Sequence, residues 1–403
     1  MNSKTIKGYS SSVAIVFFFI TPLLSLPYVV KGIAKGQRSA FLLVSIFMGL
    51  IAFLTIPLND LYRHTMNYFH MVDGGIAEIL MFQGFDDFLI LLLTKLLVIL
   101  HLPFEYLRFF EILYCYFLFF SIFRFYIYKN GYSEKQTLWR FFIIILFFEF
   151  VYTTTGLRYG LAICNYFYGI HLFYDRKQIL KSLFFFILSV ISHLSFGFFI
   201  PISFIFALYA TSFRKSIIGV MIVFVLGNIF IGNIANLMSV RADWYFSGGN
   251  SLSGEGYSNL TVNGMLMLLI PRLCLLPFLT LAIKESNQRL WWKRFFYSWL
   301  LLVGTFITNS IVLLRAFWGL EYASVFMLLD IERFSKMKDS VIKQLLLCGI
   351  CFTFFNAIDF KVYIINSHYE RLFLPVPVIL TYTYSHEWVS THIDNNEIIR
   401  PID

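Results

Sequence analysis

Charged residues are scarce in this chain of 403 residues: Asp, Glu, Lys and Arg together make up 14%, against about a quarter in soluble proteins. Hydrophobic residues make up 59% and aromatic residues 20%. Apolar runs of about 15 to 25 residues recur from end to end, close to the ~20 residues that a membrane-spanning helix needs. This composition excludes a soluble globular protein and predicts an all-α, polytopic integral membrane helix bundle.

Several sequence motifs with well-defined chemistry are missing. There is no phosphate-binding loop of the form GxxxxGK, and HEWVSTH at 386–392 lacks the HExxH spacing that puts two histidines on one helical face. The CGIC segment at 348–351 has redox or zinc spacing, but it lies within an apolar run without a second ligand pair. We interpret the five cysteines as small buried hydrophobes and expect no cofactor, no metal site and metal-independent chemistry.

The net charge of +9 does not indicate nucleic-acid binding, because Lys and Arg cluster in short segments between apolar runs. Such basic segments are typical of cytoplasmic loops in membrane proteins. Placing them in the cytoplasm leaves outer loops at 59–86 and 239–263 and a C-terminal outer segment at 359–403. The lipid bilayer is the partner that this pattern predicts.

Counting the crossings gives one membrane domain, 1–403, with about 12 spans, within a range of about 10 to 14. In the N-terminal part, we expect 104–127 to be a span and 87–102 to be an interfacial or re-entrant helix. The run 179–210 is too long for one span. We expect it to form two short helices, interrupted at Gly197 and Pro201.

Five polar residues are predicted to lie toward the outer face. Asp60 ends the second span, Arg158 starts a helix, His193 ends one, Arg272 lies about 12 Å inward, and Arg315 lies at an outer turn. A charged side chain in a membrane costs about 2.5–3.5 kcal/mol, and such residues usually line a cavity. The pattern therefore predicts a shared cavity that opens outward.

The segment TTTGLRYGLA places an arginine at the start of a membrane helix. We expect Thr154 or Thr155 to cap that helix. A cation is unfavourable beside the free N–H groups of a helix start, unless an anion lies between them. With Arg272 and Arg315 nearby, Arg158 is predicted to bind a pyrophosphate through guanidinium forks.

Other roles remain open for these arginines. Arg158 and Arg315 could reach the membrane interface as anchors. Arg272 lies deeper, where it could instead form a structural ion pair with Glu321 or Glu149.

Two stretches carry a family resemblance. GLRYGLAICNYFYGIHLFYDRKQILKSLFFFILSVISHLSFGFFIP at 156–201 resembles the EpsG/Wzy-type polysaccharide polymerases. It has an LR-x-G-x-A helix start, a basic cytoplasmic turn and a helix that ends in His-x-Ser. NDLYRHTMNYFH at 59–70 is similar to the start of that family's first large outer loop.

The resemblance implies a multi-pass enzyme of the bacterial inner membrane with its active site facing the periplasm. The expected fold is glycosyltransferase-C-like and metal-independent. The substrates would be undecaprenyl-pyrophosphate-linked oligosaccharides, and the product an O-antigen of lipopolysaccharide, a capsule or an exopolysaccharide. A growing glycan would pass from undecaprenyl pyrophosphate to the terminal sugar of a new repeat unit, with inversion. A chain-length regulator protein is a candidate partner.

Two residues are candidates for the general base that the acceptor hydroxyl needs, His193 and Asp60. We favour His193, since an ordinary imidazole is largely neutral at neutral pH, and expect Asp60 to orient the acceptor sugar. A lone membrane histidine can also serve only in helix packing. The residues expected to contact the acceptor or its sugars are Tyr62, Trp244, Tyr245 and Glu321.

Two other functions remain open. A flippase or transporter of lipid-linked oligosaccharide needs charges along both leaflets and often has internal repeats, whereas here the charges crowd toward one face without a repeat. A membrane O-acyltransferase could use His193 as its base.

Overall fold

The computed structural model describes residues 9–74, 88–222, 224, 269–287, 289–306, 310–333 and 337–393. Within these ranges the regular elements are helices and no strand occurs, which confirms the predicted all-α fold. By contacts the chain divides into two compact units. Unit 1 comprises Met1–Phe141, Phe150–Phe196 and Phe360–Asp403, and unit 2 comprises Phe142–Glu149 and Gly197–Asp359.

Helices make up most of the described residues. In chain order they are α1 (Tyr9–Ile20), α2 (Pro22–Ala34), α3 (Arg38–Leu54), α4 (Asp60–Val72), α5 (Phe88–Ile99), α6 (Glu105–Asn130), α7 (Glu134–Phe147), α8 (Phe150–Thr155), α9 (Leu157–Tyr174), α10 (Ile179–Ser192), α11 (Phe196–Tyr209), α12 (Leu276–Lys284), α13 (Trp291–Thr305), α14 (Ser310–Glu332), α15 (Asp339–Asp359), α16 (Lys361–Asn366), a 3₁₀ helix (Tyr369–Phe373), α17 (Val376–Ile379) and α18 (His386–His392).

Three of the described helical segments are long and apolar enough to cross a membrane: Glu105–Asn130, Val312–Glu332 and Asp339–Ile358. The first coincides with the stretch 104–127, which we expect to be a span. The preceding stretch forms α5, a helix of only 12 residues. The chain is therefore a membrane protein, as its composition predicts.

The pair α9 and α10 forms a closely packed antiparallel hairpin in unit 1. Ser182 and Ser189 of α10 donate hydrogen bonds to the carbonyl oxygens of Gly169 and Ala162 on α9, at 2.8 and 2.7 Å. Interhelical bonds of this kind satisfy polar groups that lipid could not. The hairpin fixes the first turn of α9, which begins at Leu157.

The segment between α3 and α4 is held from two sides within unit 1. Arg108 of α6 donates to the carbonyl oxygens of Thr55 and, at 3.3 Å, of Phe53, which otherwise lack partners at the helix end. The hydroxyl of Tyr363 accepts a bond from Asn59 Nδ2 at 2.8 Å. Since Asn59 precedes α4, these contacts fix the position of Asp60.

Two predicted helix ends differ in the structure. Asp60 does not end a span, because α3 ends at Leu54 and Asp60 begins α4. The run 179–210 forms two short helices, as predicted, but the break lies at 193–195, and Gly197 and Pro201 lie inside α11. Pro201 is the sixth residue of α11, so it removes one intrahelical hydrogen bond, and the helix nevertheless continues to Tyr209.

Arg315 does not lie at a turn either, because α14 runs through it from Ser310 to Glu332. The segment LLRAFWGLEY is continuous helix. Its Gly319 allows close packing, since a Cβ atom there would come within 2.1 Å of the Trp299 ring of α13.

Candidate functional site

Two predicted site residues from distant parts of the sequence meet in unit 1. Asp60, the first residue of α4, contacts Arg158 of α9, with 3.6 Å between Oδ2 and Nη2. Its other oxygen, Oδ1, lies 2.9 Å from Arg63 Nη2. His64 Nε2 lies 3.7 Å from Oδ2, so two side chains approach the same carboxylate oxygen.

The sequence of α4 explains this grouping. Asn59 has a left-handed backbone with φ of 53°, which asparagine tolerates better than most residues and which turns the chain into the helix. Within α4, residues three and four positions apart share a face, so Asp60, Arg63 and His64 point together. On α9, Arg158 is the second residue, and it reaches the same carboxylate.

Three basic side chains surround the carboxylate of Asp60 and shift its pKa. Burial raises the pKa of Asp60, but the close approach of His64 and the attraction of Arg158 and Arg63 outweigh that effect and hold the pKa well below the usual range. Asp60 is therefore ionised at neutral pH. Two guanidinium groups share this one carboxylate, and guanidinium groups bind phosphate oxygens well.

The start of α9 differs from the expectation. Thr154 and Thr155 do not cap this helix, because their hydroxyls donate to the carbonyls of Phe150 and Val151 inside α8, at 2.8 and 2.9 Å. Such bonds to the residue four back satisfy a threonine within its own helix. The N-cap residue of α9 is Gly156, which has no side chain that could cap the helix.

His193 follows α10 directly, as predicted, and lies beside α9. Its ring packs edge-on against Tyr159, the neighbour of Arg158, with 5.6 Å between ring centroids. Nδ1 accepts a bond from the Ser195 backbone N–H at 3.3 Å and lies 2.8 Å from Ser195 Oγ. Because an N–H group only donates, Nδ1 carries the lone pair and a neutral ring carries its hydrogen on Nε2.

Arg272 lies in unit 2 and is buried in an ion-pair cluster. Its Nη2 lies 3.3 Å from Glu149 Oε1, and its Nε lies 3.5 Å from Glu321 Oε1. Asn356 Nδ2 donates to the other oxygen of Glu149 at 3.1 Å. The structural ion pairs anticipated for Arg272 are thus present, with both carboxyl groups at once. Arg315 lies in the same unit, half-buried on α14.

The remaining predicted residues divide between packing and the part of the chain outside the described ranges. Tyr62 packs against an apolar cluster that includes Ile56 and Tyr384. Trp244 and Tyr245 lie outside the described residues. Among the residues that the structure describes, no three His, Cys, Asp or Glu side chains form a group that could hold a metal ion.

His64 is a candidate that the sequence reasoning missed. It is buried, with 4% of its surface exposed, and Nε2 has no hydrogen-bond partner within the described ranges. The signal was available in DLYRH, since a spacing of four residues puts Asp60 and His64 on one helical face.

A polytopic helical membrane protein with a guanidinium–carboxylate cluster is the class that these observations define. The profile of the EpsG family matches residues 40–376, which is most of the chain. The protein therefore belongs to the EpsG family and is a polysaccharide-polymerase-like membrane protein, as its sequence motifs predict. Comparison with curated proteins and with solved structures gives no match.

Proposed function

We propose that the protein polymerises lipid-linked oligosaccharide repeat units at the outer face of the bacterial inner membrane. The growing glycan passes from undecaprenyl pyrophosphate to the terminal sugar of a new undecaprenyl-pyrophosphate-linked repeat unit. The contact between Arg158 and Asp60 is the observation that carries this proposal. The contact brings together a guanidinium group that can bind the leaving phosphate and a carboxylate that can accept a hydrogen bond from a sugar hydroxyl.

In the proposed reaction, the acceptor hydroxyl attacks the anomeric carbon of the donor sugar. A new C–O bond forms as the bond to the pyrophosphate breaks, and undecaprenyl pyrophosphate leaves with the electron pair. Arg158 stabilises the charge that develops on the leaving oxygen, which is often the largest contribution to such catalysis. Asp60 accepts a hydrogen bond from the acceptor sugar and orients its hydroxyl for inverting displacement.

The acceptor proton must go to a base, and we assign that role to His193. In the neutral ring the basic lone pair is on Nδ1, on the side of Ser195. The proton can pass to Nδ1 through the Ser195 hydroxyl, which gives up its own hydrogen as it takes the new one. His64 is the second candidate, because it faces Asp60.

The wider proposal adds residues and features that the sequence led us to expect. Arg315 assists in binding pyrophosphate, and Tyr62, Trp244 and Tyr245 contact the acceptor or its sugars. Arg272 and Glu321 instead hold each other in the buried ion-pair cluster of unit 2. The fold is glycosyltransferase-C-like with about 12 spans, and the chemistry is metal-independent. Regulation of chain length by a partner protein fits a polymerase of this kind.

Glycan chain length in a deletion strain tests this function. Complementation with the wild-type gene at native expression should restore a ladder of long chains. Arg158→Ala should leave single repeat units attached to their final acceptor, without the ladder. A normal ladder in the Arg158→Ala strain would contradict the polymerase. Loss of repeat units from the outer leaflet in the deletion strain would indicate a flippase instead, and altered acetylation at normal length an O-acyltransferase.

A further inference from the structure

An apolar cavity of about 440 Å³ lies inside unit 1, between α5, α6, α9 and α10. Leucine side chains of α5 form much of its wall, with Leu161 of α9 and Leu188 of α10 opposite. Polar groups enter the lining where α6 meets α9, at Glu111, Tyr114 and Asn165. A cavity of this size and character is typical of a site for a largely apolar ligand.

The described residues leave this cavity open on one side. Leu96, Leu100 and Phe110 line it and are also 48%, 55% and 53% exposed, so the cavity opens at the surface of the helices. Both carboxyl oxygens of Glu111 are buried and lack a hydrogen-bond partner among the described residues. Because an unpaired buried carboxyl group is uncommon, Glu111 marks the point where the apolar lining meets the polar side chains of Tyr114 and Asn165.

The cavity continues along the helix that carries Arg158. Leu161 and Asn165 follow Arg158 by three and seven residues, which places all three on one face of α9. Tyr114 donates to Asn165 Oδ1 at 2.6 Å, so α6 is joined to α9 at the depth of the cavity. A ligand with an anionic head at Arg158 would find apolar space within one turn of the helix.

We propose that this cavity holds the first part of the polyprenyl chain of the lipid-linked substrate, while its pyrophosphate lies at Arg158. The inference rests on the proposed function. A membrane phospholipid shares the same chemistry, an anionic phosphate on an apolar chain. The polyprenyl carrier is the better occupant, because in the proposed reaction its head must lie at Arg158 during turnover.

The cavity contributes position rather than strong affinity. Lipid tails are as apolar as leucine, so a chain gains little free energy by leaving the bilayer for a leucine-lined cavity. Close packing instead fixes where the chain leaves the headgroup, and so aligns the pyrophosphate with Arg158. Filling the cavity should therefore impair the use of long-chain substrates more than that of short-chain ones.

Photo-crosslinking of the purified full-length protein in lipid nanodiscs tests the proposal without turnover. The probe is a polyprenyl pyrophosphate with a diazirine near the head of its chain. We expect crosslinked peptides from 88–111 and 157–188 and competition by unlabelled undecaprenyl pyrophosphate, but not by phosphatidylglycerol. Leu161→Trp and Leu93→Trp, which fill the cavity from α9 and α5, should lower these crosslinks at least fivefold. The matched control is Leu183→Trp on the exposed side of α10, where labelling should stay at the wild-type level.

The outcomes separate this inference from the function on which it rests. Crosslinks elsewhere, equal competition by phosphatidylglycerol, or unchanged labelling in both cavity variants would overturn the cavity assignment. A glycan ladder in the Arg158→Ala strain would overturn the polymerase, whereas crosslinking at the cavity could persist in that case as lipid binding alone. If one cavity variant is lost from the membrane, crosslinking of the other variant, whose substitution lies on a different helix, tests the cavity assignment.

Discussion

Arg158 and Asp60 stand at the starts of two different helices, and their side chains meet with 3.6 Å between Nη2 and Oδ2. The pair is partly exposed, at 12% for Arg158 and 26% for Asp60, so a substrate can reach both groups. Arg63 contacts the other oxygen of the same carboxylate, with 2.9 Å between Nη2 and Oδ1. This relationship underlies the predictions that follow.

Arg158→Ala should lower the rate of chain elongation about 10²- to 10³-fold, the usual cost of losing one donor to a developing charge. Arg158→Lys should recover part of that loss, because it keeps the charge without the guanidinium fork. The rate is measured in isolated membranes at matched protein levels. Arg63→Ala is the control, because Arg63 contacts Asp60 but is 61% exposed. An equal loss in both alanine variants would show that only the charge on Asp60 matters.

Asp60→Asn should change how stability depends on pH. The folded-state pKa of Asp60 lies below its ordinary value, so the charged form contributes stability above about pH 4 and loses it as the pH falls further. The difference in thermal unfolding midpoint between wild type and Asp60→Asn, measured in detergent, should be constant above about pH 5 and shrink below about pH 4. A difference that already disappears near pH 6 would contradict this assignment.

His193→Ala should lower the elongation rate by about 10² to 10⁴, the range for a general base, and remove the acidic limb of its pH profile. Ser195→Ala should give a smaller loss and keep that limb, because water can replace the hydroxyl. His64→Gln serves as the comparison. If His64→Gln removes the acidic limb while His193→Ala retains it, the base is His64 and the assignment to His193 is wrong.

Arg272→Ala should destabilise unit 2, because it removes the guanidinium that contacts Glu149 and Glu321. Breaking a buried ion pair from one side costs about 3–5 kcal/mol. We expect a low level of protein in the membrane and a lower unfolding midpoint, and the double variant Arg272→Met, Glu321→Met should recover part of the loss. Normal protein levels without polymer would instead support a direct role of Arg272 in binding pyrophosphate.

The sequence predicted the helix ends that depend on strong local signals. The apolar run after Gly156 and the end of the run at His193 both coincide with helix boundaries. The sequence also predicted that α5 and α6 are separate helices, because Pro103 interrupts the apolar run between them. Composition and positive charge decided the class of protein in the same way.

Other features depend on packing, which the sequence pattern does not display. Arg315 was expected at an outer turn, but the helix continues through it, and Gly319 of the same helix packs closely against Trp299. Thr154 and Thr155 were plausible caps, but each had a carbonyl four residues back to bond instead. The approach of Asp60 to Arg158 depends on how α4 and α9 pack. The sequence therefore predicted that both residues lie toward the outer face, but not that their side chains are in contact.

Turnover by the purified protein tests the central claim most directly. The wild-type protein, reconstituted in liposomes with undecaprenyl-pyrophosphate-linked repeat units of its own strain, should release undecaprenyl pyrophosphate and form chains of two or more units. Arg158→Ala, confirmed as folded by its unfolding midpoint, should release neither product above background. Equal release by wild type and Arg158→Ala would show that the cluster of Arg158 and Asp60 is not the site of the reaction.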